Sequence, residues 1–183
     1  MPEKVIQKFE IKYLEVLDKD GNVDLKLKPK VSDKEVIQMY KQMVLARNFD
    51  NKMLSLQRQG KISTFAQGKG HEALQVAAGF AMKKEDWLVP YFREQAISIV
   101  RGVPLENILM YYGGDERGSI YKKGVNVLPV CIPVATQLLH GAGLAWAFKK
   151  QKKKSVVVAF CGDGATSEGD FHEALNFASV FQV

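Results

Sequence analysis

Cysteine and histidine are scarce in this sequence, with two cysteines (Cys131 and Cys161) and three histidines in 183 residues. There is no CxxC pair and no Cys/His cluster, so neither a zinc site nor a thiol nucleophile has support. Each cysteine sits in an apolar run and is expected to be a buried, reduced thiol. Long apolar runs are also missing, and none approaches the roughly 20 residues a helix needs to cross a bilayer. The opening, MPEKVIQKFEIK, is polar and charged and does not follow a signal-peptide pattern. A cytoplasmic chain with no membrane partner is expected. The net charge of +6 owes much to one run, KKQKKK, at 149–154. That run has no interleaved aromatics and no nucleic-acid motif around it, so it reads as a solvated connecting loop, and no nucleic-acid partner is expected.

A hydrophobic content of 46% with 25% charged residues is ordinary for a globular chain, and the length suits one well-packed domain. Residues 1–30 read as an extended arm with a short hairpin around Asp20-Gly21, closed by Pro29, and residues 31–183 read as the domain. Ser32 and Glu35 form a capping box. A helix then carries Val36, Met39, Tyr40, Met43 and Val44 at helical spacing as a core stripe, running to Gln59 with Gly60 as its stop. HEALQVAAGFAM, REQAISIVRG and LENILMYYGG read as three more helices, with Pro104 in the first turn of the last. Residues 113–130 are a long glycine-rich loop of the kind that usually serves function. The helix at about 134–149 has a thin side made by Gly141, Ala142, Gly143 and Ala145, as close approach to another backbone or a subunit contact would require. Val156–Phe160 has the continuous apolar character of a strand buried on both faces.

That strand ends in Gly162-Asp163-Gly164, and a helix follows. Helices alternating with strands and glycine turns imply an α/β fold with a parallel sheet, whose ligands collect at the carboxyl ends of strands. Glycines permit a sharp turn and a close ligand approach. A helix start offers free amides to phosphate, and Ser167 with Asp170 three residues on is expected to cap it. An aspartate there can hold magnesium together with phosphate oxygens. The tripeptide alone also fits an ordinary turn.

GDGATSEGDFHEALNFA resembles the first half of the thiamine diphosphate motif in alpha subunits of the 2-oxoacid dehydrogenase first component, of the pyruvate and branched-chain type. RQGKISTFAQGKGHEALQVAAG, DWLVPYFREQA and GVNVLPVCIPVATQLLHGAGLAWA resemble further segments of that family in the same order, and the resemblance covers about residues 30–183. It implies a three-layer thiamine diphosphate-binding α/β fold. It also implies that Asp163 ligates magnesium, that Gly164 and Ala165 present backbone to the diphosphate, and that Arg93 pairs with it. Phe92 stands where the family has tyrosine, which loses a phenol contact that Tyr91 is placed to replace. Ile132 and Val134 are implied beside the aminopyrimidine. Cys131, Pro133, Thr136 and Gln137 match a segment that wraps a potassium ion in some relatives.

The implied activity is oxidative decarboxylation of a 2-oxoacid, pyruvate first, with the acyl group passing to the lipoyl arm of an acyltransferase component. Branched-chain 2-oxoacids and acetoin are the alternatives. The implied assembly is two alpha and two beta chains, the beta chain supplying the glutamate that activates the cofactor. His71, His140 and His172 are expected to be structural, and Glu72 to serve a helix start or an interface rather than acid–base chemistry. The second half of the motif, an asparagine pair further on, is not among the residues after Gly164, so the domain is expected to be truncated. An amino-terminal part of an enzyme subunit and a non-catalytic assembly module are therefore both carried. Completion of the magnesium shell by a partner favours the first, and failure to bind cofactor with any partner favours the second.

Overall fold

Trp87–Val89 (β1) and Val157–Ala159 (β2) pair in parallel, Trp87 opposite Val157, Leu88 opposite Val158 and Val89 opposite Ala159. The structure is a computed structural model that describes residues 3–183. On its other edge β1 takes a single parallel bridge, Leu88 with Val127, through Leu88 N–H to Asn126 O at 2.9 Å and Leu128 N–H to Leu88 O at 2.9 Å. β1 is thus flanked on both sides, and its Leu88 and Val89 are fully buried. β2 is only half-buried along its length, which corrects the expectation of a strand covered on both faces. Its neighbour lies on one edge only, among the described residues.

Successive side chains of a strand point to opposite faces. Leu88 belongs to a core cluster with Met53, Phe65, Ile97, Val103, Ile108, Tyr112 and Val127. Trp87 and Val89 turn the other way, toward the helix Thr136–Lys150. Helical segments therefore cover both faces of β1, and the small parallel sheet within a mostly helical chain is an α/β arrangement.

The described chain divides into two compact units, one reaching to Val36 and the other Ile37–Val183. In the first, Leu17 and Val23 form an antiparallel bridge around Gly21, whose φ is +87°, and the hairpin forms as its sequence predicts. The capping box also forms, Glu35 N–H reaching Ser32 Oγ at 3.3 Å and Ser32 N–H reaching Glu35 Oε2 at 2.9 Å. It opens α1, Asp33–Arg58, which ends at Gly60 in the left-handed region. The stripe on α1 divides, since Met39 and Met43 pack against the core while Val36, Tyr40 and Val44 stay exposed. The buried face runs instead through Ala46, Asp50 and Met53.

The second unit continues with α2 (Glu72–Ala81), α3 (Gln95–Val100) and α4 (Leu105–Tyr112). Pro104 is the residue before α4, with extended ψ, and lies just outside the first turn. The glycine-rich stretch 113–130 contains a 3₁₀ turn, Glu116–Ser119, besides the Val127 bridge, so it is less a loop than its composition suggests. α5 (Thr136–Lys150) and α6 (Gly169–Phe181) pack together through Trp146 against Phe177 and Phe181. Lys149–Lys154 are exposed, as a solvated run should be, and Lys149 Nζ donates to the carbonyls of Phe181 and Gln182 at the end of α6.

Candidate functional site

The parallel register brings the carboxyl ends of β1 and β2 side by side, and the chain leaves both in turns. After β1 come Pro90-Tyr91-Phe92-Arg93, and after β2 come Phe160-Cys161-Gly162-Asp163. Both turns line one cavity of about 350 Å³, which brings Phe92, Arg93, Val134, Asp163, Gly164 and Ala165 together. Ile132, two residues before Val134, is half-exposed and is not among its lining residues. The chain reverses at Ala135, a fully buried residue in the left-handed region, immediately after Val134.

The Gly162–Gly164 turn differs from the sequence expectation. Neither glycine takes positive φ, and a Cβ at either would meet nothing within 4 Å. Their contribution is a bare main chain rather than a special conformation. Asp163 and Gly164 open a 3₁₀ segment, Asp163–Ser167, that comes between Gly162 and α6. Ser167 therefore lies inside that segment and caps nothing. Glu168 is the residue before α6, and Asp170 accepts from Thr136 Oγ1 at 2.9 Å. Ala165 N–H is committed to Gly162 O at 3.1 Å, while Gly164 N–H has no backbone partner among the described residues. Asp163 is exposed, and its carboxylate has no hydrogen bond or ion pair among those residues.

Both cysteines are less buried than predicted. Cys131 is half-buried and Cys161 is exposed on the cavity wall, because β2 ends two residues before it. Burial pushes the Cys131 thiol up.

Arg93 is exposed, donates from Nη1 to Gln67 O at 2.9 Å, and lies over the Phe92 ring. Phe92 O accepts from Gln95 Nε2 at 2.6 Å and from the Tyr112 hydroxyl at 3.0 Å. Burial pushes Tyr112 up to about 12, so its hydroxyl stays a donor at neutral pH. Tyr91 is buried on the cavity wall with its ring against Phe92, and burial raises it as well.

The sequence reading missed Gln75 and Glu94, which also line the cavity. A glutamine inside the apolar run of HEALQVAAG was the available signal for Gln75. Glu94 is buried, accepts from Tyr91 N–H at 2.9 Å, and is pushed up by its burial. His71, expected to be structural, lies at the start of α2 without capping it and lines the cavity. Gln137, fully buried, donates from Nε2 to Phe160 O at 2.7 Å, and its Oε1 is a buried acceptor without a partner among the described residues.

A guanidinium, a bare amide and an unpaired carboxylate around such a volume suit a phosphorylated ligand held with a hard cation. No cluster of three or more His, Cys, Asp or Glu residues that could hold a metal occurs among the described residues. Magnesium needs no such cluster, since one or two carboxylates plus ligand phosphates suffice.

The chain is 43% identical over 167 residues to a pyruvate dehydrogenase E1 component subunit alpha of Acholeplasma laidlawii, covering 91% of this chain and 48% of the relative. It is 36% identical over 177 residues to the protein of that name from Staphylococcus aureus, covering 96% and 47%. With the Staphylococcus epidermidis protein of that name it shares 35% over 183 residues, covering 98% and 50%. The chain thus spans about half the length of the curated relatives it matches. The family model described as dehydrogenase E1 component matches residues 40–183, and the chain belongs to that family.

Proposed function

We propose that this chain forms the alpha-subunit wall of a thiamine diphosphate site in a 2-oxoacid dehydrogenase, acting on pyruvate, in the cytoplasm. The observation that carries the reading is the convergence of Arg93 from the β1 turn and Asp163-Gly164 from the β2 turn on one cavity. The relatives' printed names favour pyruvate over branched-chain substrates or acetoin.

In this reading Asp163 holds magnesium, and Arg93 and the Gly164 amide bind the diphosphate. Val134 supplies an apolar contact to the cofactor's rings. Phe92 offers no phenol, and Tyr91 keeps the neighbouring wall apolar and closed to water. When bound, thiamine diphosphate supplies the carbanion chemistry of decarboxylation, while these residues bind and orient it. A beta chain completes the site in an assembly of two alpha and two beta chains, and a lipoyl-bearing acyltransferase takes the acyl group. Gln137 Oε1, buried and without a partner among the described residues, is the acceptor offered to a potassium ion at the start of α5.

The test is calorimetric titration of thiamine diphosphate into the chain co-purified with a beta-type partner, with and without magnesium. Magnesium-dependent binding that Asp163→Asn weakens at least tenfold is expected, along with pyruvate-dependent acylation of a lipoyl domain. Absence of binding with any partner would replace the reading with a non-catalytic assembly module.

A further inference from the structure

The main chain of Arg93 is gripped from outside its own turn. Gln75, 1% exposed on α2, donates from Nε2 to the Arg93 carbonyl at 3.0 Å. Its Oε1 accepts from the amides of Ala96 and Ile97 at 3.1 and 3.3 Å. Those amides belong to the first turn of α3, where a helix leaves donors without internal partners. The amide's orientation is fixed by its surroundings. A carbonyl only accepts and main-chain amides only donate, so a flipped Gln75 would set like poles together at all three contacts.

The same carbonyl is confined from the other side. A Cβ built on Gly68 would stand 2.9 Å from Arg93 O. Gly68 cannot retreat freely, because Asp50 accepts from its N–H at 2.7 Å and from the neighbouring Gln67 Nε2 at 2.7 Å. Gln67 O in turn receives Arg93 Nη1.

We infer that Gln75 is the positioning residue for Arg93. By fixing the carbonyl between α2 and Gly68, it sets the point from which the guanidinium meets the ligand's phosphate. The inference rests on the cofactor reading of the cavity and carries it one residue deeper. Guanidinium recognition of phosphate is directional, so a shift of the Arg93 main chain costs affinity even with the side chain intact.

A double-mutant cycle tests it in the full chain purified with its beta-type partner, with magnesium thiamine diphosphate as the titrant. Gln75→Glu keeps an acceptor for Ala96 and Ile97 but removes the donor that faces Arg93 O. It is expected to weaken binding about tenfold, and to add almost nothing once Arg93→Ala is present. Gly68→Ala, which presses on the same carbonyl, should be masked in the same way. Near-ultraviolet circular dichroism checks that each variant is folded, and Gln75→Met carries the same cycle if Gln75→Glu does not fold. Losses that add to that of Arg93→Ala overturn the positioning role and leave the cofactor reading standing. Binding unchanged by Arg93→Ala itself overturns the cofactor reading, and the inference falls with it.

Discussion

Gly141 of α5 lies against Ala159 of β2 so closely that a Cβ at 141 would stand 3.2 Å from the Ala159 Cβ, with Val157 and Val89 just behind. Gly143, two residues along the same helix, faces open space. Gly143→Ala is therefore expected to stabilise the protein by up to about 1 kcal/mol through helix propensity. Gly141→Leu is expected to destabilise it by about 1–3 kcal/mol through overpacking against the sheet. Chemical denaturation of the two variants checks the pair, and equal responses would remove the close-approach explanation.

Arg47 and Glu72 tie α1 to the start of α2, and the Arg47 hydrogen bond holds the Glu72 carboxyl at about 2, well below its ordinary 4.5. A depressed folded-state value means the pair stabilises fully above about pH 4.5 and loses its contribution as pH falls from there through about 2. Glu72→Gln should flatten that acid limb in melting temperatures measured from pH 7 downward. Superimposable acid limbs for the two proteins would count against the pair.

Cys161 lines the cavity and is exposed, whereas Cys131 is half-buried with its thiol pushed up by desolvation. Iodoacetamide should label Cys161 first, as mass spectrometry of digests would show. Saturating magnesium thiamine diphosphate should slow that labelling in the assembled protein and leave Cys131 unaffected. Equal labelling rates with and without the ligand would separate Cys161 from the ligand's place.

Gln137 Oε1 has no hydrogen-bond partner among the described residues, while its amide is committed to Phe160 O. Potassium chloride is expected to raise the melting temperature more than choline chloride at equal ionic strength, because a cation bound only by the folded state stabilises it. Gln137→Met should abolish the difference. An equal response to both salts in the unsubstituted protein would leave the carbonyl oxygen to a buried water.

Local rules determined much of this protein from sequence. Ser32 and Glu35 cap α1, Gly60 stops it, and Asp20-Gly21 turns the hairpin, because each uses groups only a few residues apart. The turn at Gly162-Asp163-Gly164 was also legible, since a strand end followed by a turn is written in consecutive residues, and the turn at Arg93 was marked by the family resemblance alone. Only the tertiary structure decided that these two turns share a cavity, because strand register joins segments some seventy residues apart, as Val156 N–H to Asp86 Oδ1 illustrates. It alone decided that Cys161 and β2 stand partly open, since burial depends on which neighbours a strand receives, and periodicity records only that a face is apolar. Gln75 shows the same limit. Inside α2 it reads as a polar interruption, and its partners, the Arg93 carbonyl and the first amides of α3, exist as a site only once two helices and a strand end have met.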